Sequence, residues 1–154
     1  KRAESLLVQV SVQSLRLDRA SRTPVVILQE HGGERVLPIW IGPAEASAIA
    51  MELADMKFSR PLTHDLFKNF LDRNGWSVEK ILIRDIIGGA FHADVTIAKN
   101  GKRQVYDARS SDALALGLRF GAKIFIGEKV LQQERKLEEE RQNPSQGKGE
   151  TQRL

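Results

Sequence analysis

The stretch VYDARSSDALALGLR, residues Val105 to Arg119, predicts a strand end, a polar turn and an apolar helix in succession. Ser110 is a suitable N-cap, and Asp112 places an acid in the first helical turn. The alanines and leucines that follow supply a core-facing surface. The predicted turn from Asp107 to Asp112 sets several polar side chains beside a buried helix, where α/β-type proteins often form binding sites. Helix capping with one local ion pair would account for the same residues.

Length and composition are those of one globular domain. The chain has 154 residues, of which 41% are hydrophobic and 29% charged, and this is enough for a sizeable core. No apolar run is long enough to span a bilayer, so we expect no membrane segment and a cytoplasmic protein. The absence of cysteine excludes disulfides, thiolate metal sites and thiol nucleophiles. The net charge of +4 permits nucleic-acid binding without requiring it.

Hydrophobic periodicity predicts an α+β chain with an internal repeat. The predicted strands are 6–17, 25–29, 35–41, 76–87, 91–98, 102–107 and 124–126, and the predicted helices are 43–56, 63–73 and 110–120. Three strands followed by a helix occur twice, so we predict a single domain built from a duplicated strand–strand–strand–helix unit with helix 63–73 inserted. This duplication places Glu45 and Asp112 at equivalent helix starts. Two unrelated hairpins leading into helices are the alternative.

The C-terminal tail differs in character from the rest of the chain. Val130, Leu131 and Leu137 are too sparse among charged residues to predict a buried face. We therefore predict a domain over residues 1–130 and a charged tail over residues 131–154. The tail is predicted to be a solvated helix to about Gln142, followed by a disordered end.

Three motifs resemble the bifunctional nuclease domain family. They are RVLPIWIGPAEASAIAMEL (Arg35 to Leu53), SRPLTHDLF (Ser59 to Phe67) and the stretch from Val105 to Arg119. The resemblance covers roughly residues 6–130, and Ser110 stands where the family usually has proline, a residue that starts a helix equally well. It implies the family's α+β fold and a nuclease activity on both DNA and RNA.

The chemistry that the resemblance implies is phosphodiester hydrolysis, which metal-dependent nucleases perform with clustered carboxylates and a cationic side chain. We expect a divalent metal, Mg²⁺ or Mn²⁺, and DNA or RNA as the partner. The predicted metal ligands are Asp107, Asp112 and Glu45, the predicted catalytic residues are Asp107, Asp112, His64 and Asp65, and the predicted substrate-binding residues are Arg60, Arg109 and Ser111.

Two other functions fit the same residues. The polar turn could belong to a non-catalytic module that binds a nucleotide, an anion or a protein, or the chain could form a homodimer through Trp40, Phe58 and apolar helix faces. One tyrosine and no aromatic ladder argue against a platform for stacking single strands. Geometry separates the main hypotheses: catalysis predicts two carboxylates within metal-sharing distance in an open cleft. A separate arginine or helix terminus for each acid favours the binding module.

Overall fold

The computed structural model describes residues 6–143. Seven strands and four helices follow in the order β1 (Leu7–Leu17), β2 (Pro24–Glu30), β3 (Val36–Trp40), α1 (Pro43–Leu53), α2 (Thr63–Arg73), β4 (Ser77–Ile87), β5 (Ala90–Lys99), β6 (Lys102–Arg109), α3 (Ser110–Phe120), β7 (Lys123–Gly127) and α4 (Glu128–Gln142). Each predicted strand and helix is present, with small differences at its ends. No helix within this part of the chain is long and apolar enough to cross a lipid bilayer.

The strands form one seven-stranded sheet in the order β3-β2-β1-β7-β4-β5-β6. Neighbouring strands are antiparallel, except that β4 and β7 run parallel. This sheet with its four helices confirms the prediction of a single α+β domain. Two antiparallel three-stranded units, β1–β2–β3 and β4–β5–β6, lie on either side of β7, and each leads into a helix. The element order agrees with the predicted duplication, and the common origin of the two units stays a prediction.

The core lies between the sheet and α3, because α3 is buried along most of its length. Its Ala113 and Leu114 are fully buried, as are Ile81 and Ile83 of β4. Gly117 permits this close packing, because a Cβ atom there would lie 2.6 Å from the Ile81 side chain. Helices α1 and α2 both pack against α3. The start of α3 is therefore brought close to both neighbouring helices.

The junction between β6 and α3 differs from the prediction. The chain has no polar turn there, because β6 continues to Arg109 and α3 begins at the next residue. Ser110 is the first helical residue and is buried, so it is not the N-cap, and Arg109 holds that position. In α2 the N-cap is Leu62, which donates its backbone N–H to Asp65 Oδ2 in the first turn.

The apolar side chains of α2 and α4 differ in burial. In α2, Leu66, Phe67 and Phe70 are exposed and only Leu71 is buried. In α4 the prediction of a fully solvated helix fails, because Val130 and Leu131 are buried against the sheet. The division of the chain at residue 130 stays a prediction and falls inside α4. The predicted disordered end lies outside the described residues.

Candidate functional site

Four polar side chains from three helix starts form one connected network. His64 Nε2 of α2 lies 3.1 Å from Asp112 Oδ1 of α3. Arg109, directly before α3, donates from Nε to Asp112 Oδ2 at 2.8 Å and from Nη1 to Glu45 Oε1 of α1 at 3.1 Å. The structure therefore joins His64, Asp112, Arg109 and Glu45, all of which the sequence indicated as site residues. We call these four residues the junction network.

The protonation states in the junction network follow from its contacts. Burial raises the pKa of the Asp112 carboxyl, but hydrogen bonds from Arg109 and His64 outweigh it and hold that pKa below its ordinary value. The same pairing with Asp112 raises the pKa of the Arg109 guanidinium. Asp112 is therefore an ionised acceptor near neutral pH. The Arg109 side chain is 65% exposed, which leaves its remaining N–H groups accessible to a ligand.

Asp65 belongs to a different and more buried contact. Arg119, whose side chain is 3% exposed, donates from Nε to Asp65 Oδ1 at 2.7 Å. The same guanidinium donates to the backbone carbonyls of Ala115 and Ala48. The hydrogen bond from Arg119 holds the pKa of Asp65 below its ordinary value. These contacts hold α2 against α1 and α3. Asp65 therefore helps to position the helix that carries His64 and is not part of the junction network.

Within residues 6–143, the other predicted site residues make no side-chain hydrogen bond or ion pair with the junction network. Asp107 faces Arg84, whose Nη2 donates to Asp107 Oδ1 at 2.7 Å, and this contact lowers the pKa of Asp107. Arg60 is exposed in the loop between α1 and α2, with no ion pair to another described residue. Ser111 is buried near the start of α3.

The predicted carboxylate ligands do not form a metal site in this arrangement. Within residues 6–143, no group of three or more His, Asp or Glu side chains is arranged to hold a metal ion. Asp107 is paired with Arg84, while Asp112 and Glu45 share Arg109. A guanidinium between two carboxylates occupies their lone pairs and repels a divalent cation. The donor set therefore does not fit a site for Mg²⁺ or Mn²⁺ built from these three acids.

An aromatic groove opens beside the junction network. This cavity of about 970 Å³ is bounded by α2, β5, β6 and the start of α3, with His64 and Asp112 in its wall. Four aromatic side chains line it, namely Phe67, Phe70, Trp76 and Tyr106. The sequence, which shows no aromatic ladder, did not predict this grouping of rings. Spacing along the chain could not reveal it, because the four rings come from α2, the residue before β4, and β6.

A second cavity lies on the other side of Arg109. It has a volume of about 530 Å³ and is lined by the starts of α1 and α3 together with residues of α4. Glu134 in its wall is 3% exposed, and burial raises the pKa of this carboxyl. Its charged neighbour is Arg141, at 3.7 Å. Glu134 was not predicted from the sequence, since a glutamate in a highly charged helix carries no signal of burial.

Comparisons with known proteins agree with the motifs. The model of the bifunctional nuclease domain matches residues 26–139. An uncharacterized protein of Mycobacterium tuberculosis is 41% identical over 125 residues, which is 81% of this chain and 74% of that protein.

Plant proteins are more distant relatives. Bifunctional nuclease 1 of Oryza sativa subsp. japonica is 24% identical over 80% of this chain and 38% of its own length. Bifunctional nuclease 2 of Arabidopsis thaliana is 22% identical over 65% of this chain and 31% of its own length. The family match covers well over half of the residues, and the chain belongs to the bifunctional nuclease domain family.

Proposed function

We propose that this chain hydrolyses phosphodiester bonds in DNA and RNA, with the junction network as its active site. The family and the names of the plant relatives support a nuclease. The observation that carries the placement is the contact between His64 Nε2 and Asp112 Oδ1, 3.1 Å long, in the wall of a groove large enough for nucleotides.

In this proposal His64 is the general base. An ionised Asp112 accepts the Nε2–H of a neutral His64, which leaves Nδ1 without a proton. Nδ1 can then take a proton from the water that attacks phosphorus, a role that typically contributes about 10²–10⁴-fold to a rate. The bond from phosphorus to the departing sugar oxygen breaks in the same displacement, and this oxygen takes a proton from solvent. Asp112 orients the imidazole and stabilises the imidazolium that forms. These roles require only side chains that already touch one another.

Arg109 is the proposed phosphate ligand. Two of its five N–H donors are used by Asp112 and Glu45, and the others remain available for phosphoryl oxygens. Glu45 is then a positioning residue that fixes the guanidinium from the α1 side. Exposed Arg60 is a further candidate for contacts with the substrate backbone. The predicted need for Mg²⁺ or Mn²⁺ has no matching donor set among the described residues, so no step is assigned to a metal.

The groove suggests that the substrate is unpaired. Its rings offer flat apolar surfaces on which bases can stack, and each such contact is typically worth about 1–3 kcal/mol. Bases in a duplex are already stacked on one another and present mainly phosphates to a protein. We therefore expect single-stranded DNA and RNA to be cleaved faster than duplexes of the same sequence.

The test compares cleavage by the wild-type chain, His64→Gln and His31→Gln on end-labelled single-stranded DNA and RNA. His31 is an exposed histidine in the β2–β3 turn, so its variant is a matched control for the loss of an imidazole. Parallel reactions contain Mg²⁺, Mn²⁺ or EDTA. We expect His64→Gln to lose about 10²–10⁴-fold in rate and His31→Gln to keep the wild-type rate. Wild-type cleavage by a folded His64→Gln variant would refute the assignment.

A non-catalytic binding module is the second candidate. It is favoured by the pairing of the acids with arginines: Asp107 with Arg84, Asp65 with Arg119, and Asp112 with Arg109. The same preparations can be titrated with a fluorescent oligonucleotide. Tight binding without cleavage in any of the three ionic conditions would establish this candidate over the nuclease.

A further inference from the structure

The two edges of the sheet are built differently. Strand β3 at one edge has five residues and contains Pro38, which removes a hydrogen-bond donor. Strand β6 at the other edge has eight residues, contains no proline and pairs with β5 without a bulge. Its Val105 and Tyr106 are 60% and 54% exposed. A long, regular edge strand with exposed apolar side chains is a surface that proteins usually pair or cover.

The hairpin before β6 determines which backbone groups face outward. Asn100 and Gly101 have φ values of 49° and 79°, so they form a two-residue turn closed by a hydrogen-bonded pair between Lys99 and Lys102. Antiparallel pairs alternate, so every second residue of β6 directs its N–H and C=O away from β5. Along the exposed edge these residues are Arg103, Val105 and Asp107. Within residues 6–143, no strand pairs with this side of β6.

We propose that β6 pairs with β6 of a second copy of this chain, antiparallel and centred on Val105. In this register Val105 faces Val105 of the partner subunit, and Arg103 faces Asp107 of the partner subunit. The outward groups of the three residues then form about six hydrogen bonds across the twofold axis. The two seven-stranded sheets become one continuous sheet, in an arrangement with closed symmetry.

Charge selects this register over its neighbours. Symmetric pairing centred on Arg103 or on Asp107 would set like charges opposite each other, which is destabilising. In a register centred on Gln104 or Tyr106, neither Arg103 nor Asp107 would face a residue of opposite charge in the second copy. The Val105-centred register extends two ion pairs that already exist, Arg103 with Glu79 and Asp107 with Arg84, into a row of alternating charge.

The proposed dimer also extends the groove. Gln104, Tyr106 and Asp107 of β6 line it. The side chains of Gln104 and Tyr106 alternate with those of Arg103 and Asp107 along the strand. In the proposed register Tyr106 faces Gln104 of the partner subunit across a non-hydrogen-bonded pair, where side chains approach most closely. Each groove is therefore bounded on its β6 side by the other subunit. This inference stands whether the groove serves a nuclease or a binding module.

The test measures the mass of the full chain by light scattering during size-exclusion chromatography, together with its dissociation constant by sedimentation. We expect the wild-type chain to have twice the mass of one chain. Val105→Lys sets two ammonium groups opposite each other at the axis, so it should raise the dissociation constant about 100-fold or more. Val36→Lys on β3 is the matched control at the other edge and should remain dimeric. Circular dichroism establishes that each variant is folded.

A second variant keeps the test decisive if Val105→Lys does not fold. The chain contains no cysteine, so Val105→Cys introduces a unique thiol. A short bismaleimide should crosslink Val105→Cys into dimers rapidly and leave Val36→Cys as single chains. A monomeric wild-type chain at about 50 μM, or crosslinking of Val36→Cys as fast as Val105→Cys, would overturn the proposal.

Discussion

The two halves of the sheet lead into their helices in different ways. In the first half, Ile41 and Gly42 separate β3 from α1, and Gly42 is the N-cap. In the second half, β6 runs directly into α3, and Arg109 holds the equivalent N-cap position. Glu45 and Asp112 are each the third residue of their helix. The same scaffold therefore presents an acid at both helix starts and a cation at one.

This difference explains how the two acids come to share one partner. Without a side chain at Gly42, the Glu45 carboxylate folds back over the helix start, since a Cβ atom there would lie 2.2 Å from Glu45 Oε2. Arg109 reaches Asp112 on its own helix and Glu45 on the other. The two acids share a partner because Arg109 is the N-cap of α3, whereas the N-cap of α1 is Gly42.

The largest expected effect distinguishes the two acids by function. Asp112 touches both His64 and Arg109, whereas Glu45 touches Arg109 alone. We expect Asp112→Asn to lower the cleavage rate about 10²–10⁴-fold, since the imidazole loses its ionised acceptor, and Glu45→Gln to lower it less than about tenfold. Steady-state rates on a single-stranded oligonucleotide measure both. Equal losses in the two variants would show that the helix starts contribute alike.

The second prediction compares how much the tenth residues of α1 and α3 contribute to the stability of the fold. In α3 this residue is the buried Arg119, and in α1 it is the partly exposed Glu52. Arg119→Met leaves the Ala48 and Ala115 carbonyls without this side-chain donor and removes the ion-pair partner of Asp65. It should lower the free energy of unfolding by about 2–3 kcal/mol. Glu52→Met should stay within about 0.5 kcal/mol of the wild type. Urea unfolding followed by circular dichroism gives both values, and a small effect of Arg119→Met would contradict the fastening role.

The third prediction concerns α2 and α4, the two helices that do not follow β3 or β6. Burial raises the pKa of Glu134 in α4 in the folded state, so its stabilising protonated form is retained at low pH and lost as pH rises through that pKa. Glu134→Gln cannot ionise, and we expect it to raise Tm at pH 7 by about 2–4 °C and to equal the wild type near pH 4.

The pKa of Asp65 in α2 is shifted in the opposite direction, so stability should depend on pH in the opposite way. Arg119 lowers its pKa, so its contribution is present above the unfolded pKa and lost as pH falls through the folded one. Asp65→Asn should therefore be least stable relative to the wild type at neutral pH, and the difference should shrink in acid. Thermal melts of both variants between pH 3 and pH 8 test the pair. Parallel pH profiles for the two variants would contradict this difference between α2 and α4.

The smallest expected effect comes from Gly42. The atom that a new Cβ would meet is the end of the flexible Glu45 side chain, which can move aside. Gly42→Ala should therefore fold normally, displace the Glu45 carboxylate from Arg109 and change the cleavage rate by a factor of about 2–5. Combining it with Glu45→Gln provides the control, since the second substitution should then add almost nothing. Additive effects would show that Gly42 acts elsewhere.

Local sequence signals predicted the elements well because their causes are local. The Asn100–Gly101 turn adopts the positive φ values that such a pair favours, and Gly121 ends α3 in the left-handed region. The alternation of β1 and the helical spacing of α1 likewise depend on a few neighbouring residues. The N-cap of α3 was missed, because β6 continues to Arg109 and Ser110 is already helical.

The candidate site was only partly predictable, because its pairing depends on sheet register and helix packing. Asp107 contacts Arg84, which is 23 residues away and lies two strands across the sheet. No spacing rule connects them, so the sequence placed Asp107 with Asp112 instead. The groove rings and the buried Glu134 were hidden for the same reason. The polar residues at the helix starts, including His64 and Arg109, could be identified from local sequence signals.

The central claim is that His64 and Asp112 act as one catalytic unit, and a double-mutant cycle tests it most directly. The measurement is kcat/KM on one single-stranded oligonucleotide for the wild type, His64→Gln, Asp112→Asn and the double variant. We predict that the double variant loses about as much as the worse single variant, because each substitution already disables the unit. Losses that multiply, or a single variant with wild-type kcat/KM, would contradict the claim.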